Sequence, residues 1–196
     1  MIDEENKEIL GELINIAFGS ATATIADLFD NFATLHVPGI TFNDLEDIND
    51  FVMGSFGEQK IYITTQQFKG KFQGEIVLAI DSQSARNMQQ IVGEDEDVDE
   101  TDIQQTLLEI SNILGSSCIG KLAELLLTEV TFAPPAIDYD TQLIKNVDDS
   151  PYSQVIVIST VLEFEEIKIR GKLFIMFSDE MFVWLEQALA DFMDNI

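Results

Sequence analysis

The sequence predicts an α+β fold, with long helices packed on a mainly antiparallel sheet, laid down twice along the chain. Three observations predict it. Helix-like and strand-like stretches follow one another in the same order in both halves. Neighbouring strand-like runs are separated by turns too short for the crossover that a parallel pair needs. A shift of 97 residues superposes the two halves at informative positions. Glu12 then meets Glu109, Asn15 meets Asn112, Ile16 meets Ile113, and Ser20 meets Ser117. Ala26 meets Ala123, Leu28 meets Leu125, Thr34 meets Thr131, Pro38 meets Pro135, and Gly74 meets Gly171. The chain reads as a tandem duplication of about 1–97 and 98–196. Each half alone has a small core, so one pseudo-twofold domain is expected rather than two separate ones.

The elements follow in order. Residues 3–34 carry helical periodicity, with Ile9, Leu13, Ile16 and Leu10, Ile14, Ala17 on adjoining apolar rows. Pro38 and Gly39 break that pattern. EQKIYITTQQF (58–68) and KFQGEIVLAID (71–81) read as strands joined by a Lys69-Gly70 turn. SQSARNMQQIVG (82–93) is a short helix with Ser82 as its N-cap. EDEDVDE (94–100) reads as a solvated acidic linker. A second long helix fills 101–128, with Thr101 or Asp102 near its cap. VTFAPPAIDY is extended and marked by prolines. YSQVIVISTVLEF and IKIRGKLFIMF are strands, and SDEMFVWLEQALADFM is the closing helix.

Composition narrows the function. The chain has 196 residues, 46% of them hydrophobic, enough for a sizeable core. Ten basic residues against 36 acidic ones give a net charge of −26. Such a field repels nucleic acid and anionic lipid, and favours protein partners. MIDEENKEIL is acidic where a signal peptide would be basic, and no apolar run approaches the ~20 residues that span a bilayer. The cytoplasm is the expected location. Cys118 is the single cysteine, so no intramolecular disulfide forms, and its setting in GSSCIGKL predicts a small packed residue. His36, the one histidine, stands beside a turn and reads as structural or exposed.

At about 100° per residue, Glu8, Glu12, Asn15 and Gly19 fall within roughly 60° of one another, opposite the apolar rows. Gln105, Glu109, Asn112 and Ser116 make the same stripe on the second helix, away from Leu107, Ile110, Ile113 and Leu114. Taken singly, each stripe reads as a solvated face. Asparagine is mildly disfavoured inside helices, so two aligned copies ask for more. Glycine and serine in the stripes let a partner's backbone approach. The Glu–Asn pairs lack a nucleophile, and the chain has no His or Cys cluster for zinc and no phosphate-cradling P-loop. EDEDVDE lacks the turn glycine of a calcium loop. A complete active site is therefore not expected, and no cofactor of the chain's own. An amide can, however, orient water for in-line attack on phosphorus, as the glutamine of small GTPases does. A carboxylate can hold a partner's lysine by a charge-assisted hydrogen bond.

The spacing Glu8-x3-Glu12-x2-Asn15-x22-Pro38 resembles the active-site pattern of the CheC/CheX/FliY phosphatases, and Gln105-x3-Glu109-x2-Asn112-x22-Pro135 repeats it. Glu8 and Gln105 stand where the family commonly has Asp or Ser. The likeness covers nearly the whole chain. Two motifs with no added domain look most like the CheC branch, since CheX carries one motif per chain and FliY adds a C-terminal flagellar-switch domain. The resemblance implies hydrolysis of the aspartyl phosphate of a chemotaxis response regulator, phospho-CheY, with Mg²⁺ bound by the regulator. It implies that Asn15 and Asn112 align the hydrolytic water, that Glu12 and Glu109 pair with the regulator's lysine, and that Pro38 and Pro135 close the motifs. It also implies CheD as a possible partner. A non-catalytic adaptor that docks a receiver domain or a CheD-like protein on the same stripes is the alternative reading.

Overall fold

The computed structural model describes residues 3–28, 33–92, 99–144, 152–164 and 167–194. Among them helices cover both faces of a seven-stranded sheet whose pairs are all antiparallel, which is the expected α+β architecture.

The first helix, α1 (Glu4–Leu28), starts where Asp3 Oδ1 accepts the Asn6 amide at 2.8 Å, and Glu4 and Glu5 favour its positive end. It buries Leu10, Leu13, Ile14, Ala17, Phe18, Ala21 and Ile25. The helix expected over 3–34 stops short, because Ala33 and Thr34 already belong to β1 (Ala33–Asp44). Pro38 and Gly39 do not break this strand. The β1 ladder shifts register between His36 and Gly39, and β1 lies at the sheet edge. Both features tolerate a residue without an N–H.

A stretch that periodicity leaves unassigned folds as a 3-10 turn (Leu45–Asp47) and α2 (Ile48–Phe56). Strands β2 (Ile61–Gly70) and β3 (Gly74–Asp81) form a hairpin. Its turn is not Lys69-Gly70. Those residues stay in β2 and pair with Thr131 and Val130, and the chain reverses over Lys71–Gln73. Phe72 in that turn is fully buried and stacks on Trp184 with centroids 5.5 Å apart. Its burial is worth about 1.5–3 kcal/mol, which explains a turn built around an aromatic residue.

Helix α3 (Ser82–Val92) is capped by Asp81, not Ser82: Asp81 Oδ1 accepts the amides of Gln83 and Ser84 at 2.9 and 2.8 Å. Helix α4 (Glu100–Leu125) is capped by Asp99, not Thr101 or Asp102. Asp99 accepts the Thr101 and Asp102 amides, and Asp102 reaches back to the Asp99 amide in a capping box. Those backbone amides, Asp102's first, hold the Asp99 carboxyl below its usual range. Asp99 and Glu100 are thus the start of a helix rather than linker, while 94–98 lie outside the described residues. The chain continues through β4 (Val130–Phe132), β5 (Ala136–Asp140), β6 (Tyr152–Phe164), β7 (Ile167–Ser178) and α5 (Asp179–Asp194).

The sheet order is β1-β6-β7-β3-β2-β4, with β5 also beside β2. Hairpin β2–β3 and hairpin β6–β7 meet along β3 and β7. At that junction Val77 faces Phe174, which stands 97 positions after it, and Gly74↔Phe177 is mirrored by Ile80↔Gly171. Helices α1, α3, α4 and α5 pack on one face around Phe68, Ile76, Leu173 and Phe177. Leu45, Ile48 and Val52 cover Ile61, Ile63, Val77 and Phe174 on the other. Cys118 is buried in the helical layer, as its neighbours predict, and burial pushes its thiol up to about 12. No described helix is long and apolar enough to cross a membrane.

Candidate functional site

Helices α1 and α4 pack against each other over the sheet. Their polar stripes face outward. Glu8, Glu12, Asn15 and Gly19 are exposed, as are Gln105, Glu109 and Asn112, while Ser116 is half-buried. The periodicity that places Leu13, Ile14, Leu107 and Ile110 in the core therefore leaves both Glu–Asn pairs open to a visiting molecule. Ile16 departs from the apolar row assigned to it and is 51% exposed. It lies at the flank of the stripe beside Asn15, whereas Ile113 is partly covered by the core.

The second pair rests on a polar seam that helix periodicity does not reveal. Along β2, Tyr62, Thr64, Gln66 and Phe68 share the face turned to the helices, as alternation in a strand requires. The Tyr62 hydroxyl donates to Glu100 at the start of α4; burial first, and that carboxylate next, push the phenol up to about 12. Thr64 Oγ1 donates to Ser111 Oγ at 2.6 Å, with both residues buried. Thr106 donates to Gln89 of α3. Gln66, 1% exposed, gives one Nε2 hydrogen to Asn112 Oδ1 at 2.7 Å and the other to the Ala133 carbonyl at 3.0 Å.

Gln66 thereby ties the motif asparagine to the segment that carries Pro134 and Pro135 between β4 and β5. Its Oε1 is buried with no hydrogen-bond partner among the described residues. Gly115 of α4 makes room for it: a methyl there would stand 2.8 Å from that oxygen. Gln66, Thr64 and Ser111 escape a reading of helical stripes. The signal available was TTQQ within IYITTQQFKG, which sets two polar side chains between two aromatics on one strand face.

Around the first pair, Glu12 and Asn15 are solvent-facing on α1. Pro38 lies in β1 at its register shift, and its side chain and that of His36 fall outside the described residues. Among the described residues no three His, Cys, Asp or Glu side chains converge as metal ligands. Each pair offers amide donors and acceptors and one carboxylate. That set can align water and hold a cation, but supplies no hydroxyl, thiol or amine nucleophile of its own.

Comparison with known proteins agrees with this geometry at the level of fold and family. The structure resembles FliY of Thermotoga maritima with a TM-score of 0.76 at 20% identity, covering 97% of this chain and 98% of that one. FliM from a FliM–SpeE complex of H. pylori matches with a TM-score of 0.65 at 12% identity, covering 97% of each chain. CheX of Desulfovibrio desulfuricans matches with a TM-score of 0.50 at 12% identity, covering 83% of this chain and 97% of that one. At these identities the three likenesses establish a shared fold. No curated protein matches the sequence. The family model described as chemotaxis phosphatase CheX matches residues 62–160, a span that holds Gln66, Gln105, Glu109, Asn112 and Pro135 together. By that match the chain belongs to the CheX family of chemotaxis phosphatases.

Proposed function

We propose that the chain is a CheC-type phosphatase that accelerates hydrolysis of the aspartyl phosphate on a chemotaxis response regulator. The observation that carries this reading is the exposure of two Glu–Asn pairs at one spacing on two helices of a family of chemotaxis phosphatases. Neither pair can act alone on phosphorus. The regulator supplies the acyl phosphate, Mg²⁺ and a lysine. Asn15 and Asn112 hold a water in line with the phosphorus, and Glu12 and Glu109 grip the lysine. Water attacks phosphorus, the bond to the aspartate oxygen breaks, and the products are inorganic phosphate and the free carboxylate. We read the two sites as products of a tandem duplication within one domain, a reading supported by the Val77–Phe174 junction and the sheet order around it. The protein acts in the cytoplasm, where CheD is a further candidate partner.

Phosphate release from Mg²⁺-loaded phospho-CheY tests the proposal. Removing one preorganised group costs about 10²–10³ in rate. Asn15→Ala with Asn112→Ala should keep the fold and lose the acceleration, while each single change retains the activity of the other site. Wild-type rates in the double variant would end the phosphatase reading. An adaptor is the second reading, favoured by the fold shared with FliM, which was solved in a complex with SpeE. If the double variant releases phosphate no differently from wild type yet regulator binding depends on the same helix faces, the adaptor stands in its place.

A further inference from the structure

We propose that Gln66 is a positioning residue that makes the second Glu–Asn pair the preorganised one, an inference that rests on the phosphatase reading for its catalytic consequence. The amide of Gln66 has one orientation open to it. The Ala133 carbonyl can only accept, so the nitrogen of Gln66 must face it, and the same nitrogen then meets Asn112. Asn112 must answer with its oxygen. Its Oδ1 is taken up by Gln66, which leaves the Nδ2 hydrogens of this exposed residue for a visiting molecule. A free asparagine on a helix samples several rotamers, and the bond from Gln66 favours the one that meets it.

The unpartnered Oε1 of Gln66 strengthens the inference. A buried acceptor without a donor weakens a fold, and a leucine of similar volume at this position would avoid that cost. The glutamine stands there in spite of it, and Gly115 leaves the space it occupies. Among the described residues no hydrogen bond holds the Asn15 side chain in this way. Gln66 faces Ile76 in the β2–β3 ladder. The residue 97 positions beyond Ile76 is Leu173, and it faces Ile158 in the β6–β7 ladder.

The test is a cycle of variants assayed on Mg²⁺-loaded phospho-CheY, with kcat and KM resolved. With Asn15→Ala present, only the second pair works. There Gln66→Leu should lower kcat about ten- to a hundredfold, the scale of losses from a misplaced group, and leave KM unchanged. With Asn112 already alanine, that loss should disappear, because nothing remains for Gln66 to position. Equal kcat with and without Gln66 in the first background overturns the inference. So does an equal loss in both backgrounds, which marks a structural role only. ¹⁵N relaxation of the Asn112 side-chain amide separates this inference from the phosphatase reading. A rigid amide in the wild type that loosens in Gln66→Leu supports positioning even if no phosphate release is accelerated. A mobile amide in the wild type overturns it even if the chain proves an active phosphatase.

Discussion

Two glycines of α4 should respond differently to alanine, one gaining stability and the other gaining none. At Gly120 a methyl group meets nothing within 4 Å. Alanine there gains about 0.4–1 kcal/mol by restricting the unfolded chain and favouring the helix. At Gly115 the same methyl would lie 2.8 Å from Gln66 Oε1 and 2.9 Å from Ile76 Cδ1. Ile76 is buried, and Gln66 is held at its nitrogen by two acceptors, so neither moves freely. Overpacking of this kind costs about 1–3 kcal/mol. Against a helix gain of about 1 kcal/mol, the net loss is about 0–2 kcal/mol. For a chain of this size each kcal/mol moves Tm by about 2–4 °C. Gly120→Ala should therefore raise Tm by about 1–4 °C, and Gly115→Ala should leave it unchanged or lower it by up to about 8 °C. Differential scanning calorimetry at one pH reads both. A Gly115→Ala protein that gains as much Tm as Gly120→Ala would show that the Gln66 amide does not lie against α4, and the account of how Asn112 is held would fall with it.

Two further outcomes follow from the same packing. Ser111→Ala leaves Thr64 Oγ1 buried without its 2.6 Å partner, at a cost of about 2 kcal/mol. That is about 4–8 °C in Tm, and adding Thr64→Val should recover most of it because both polar groups are then gone. Glu75, half-buried in β3, has its carboxyl pushed above the ordinary 4.5 by burial. A group raised in the folded state contributes stability below its unfolded value and loses it as pH climbs through the folded one. The carboxylate therefore weakens the fold at neutral pH. Glu75→Gln should raise Tm at pH 7, and thermal melts of the two proteins should converge below pH 4.5.

Local pattern made much of the fold legible. Strand β6 runs over Tyr152–Phe164, as its β-branched run predicts, because every residue that defines it is adjacent in sequence. The outward position of Asn15 and Asn112 followed from helical period alone. Pairing partners far along the chain decided what was not legible. Pro38 reads as a break until the β1–β6 ladder shows a register shift that accommodates it. Lys69 and Gly70 read as a turn until Thr131 and Val130 pair with them. The caps went to Asp81 and Asp99, one to three residues upstream of those expected, since any of several neighbouring acids or hydroxyls could serve. Gln66 lies 46 positions before Asn112, so no reading of α4 by itself could find what orients its amide.

Charge and site chemistry are consistent with the substrate proposed above. A chain with a net charge of −26 repels dissolved phosphate esters, and Glu12 and Glu109 add their carboxylates beside the very amides that would meet one. Among the described residues no metal cluster offsets them. On the proposed reading, a phosphoryl group reaches these helices with its charge already compensated. An acyl phosphate held by Mg²⁺ and a lysine on another protein meets that condition, and a free phosphomonoester does not. On the proposed reading, then, the carboxylate one turn before each asparagine is a filter as well as a clamp. It attracts the lysine of a loaded receiver and turns away the bare anion, so that an amide with no chemistry of its own acts only where another protein has brought the reacting atoms.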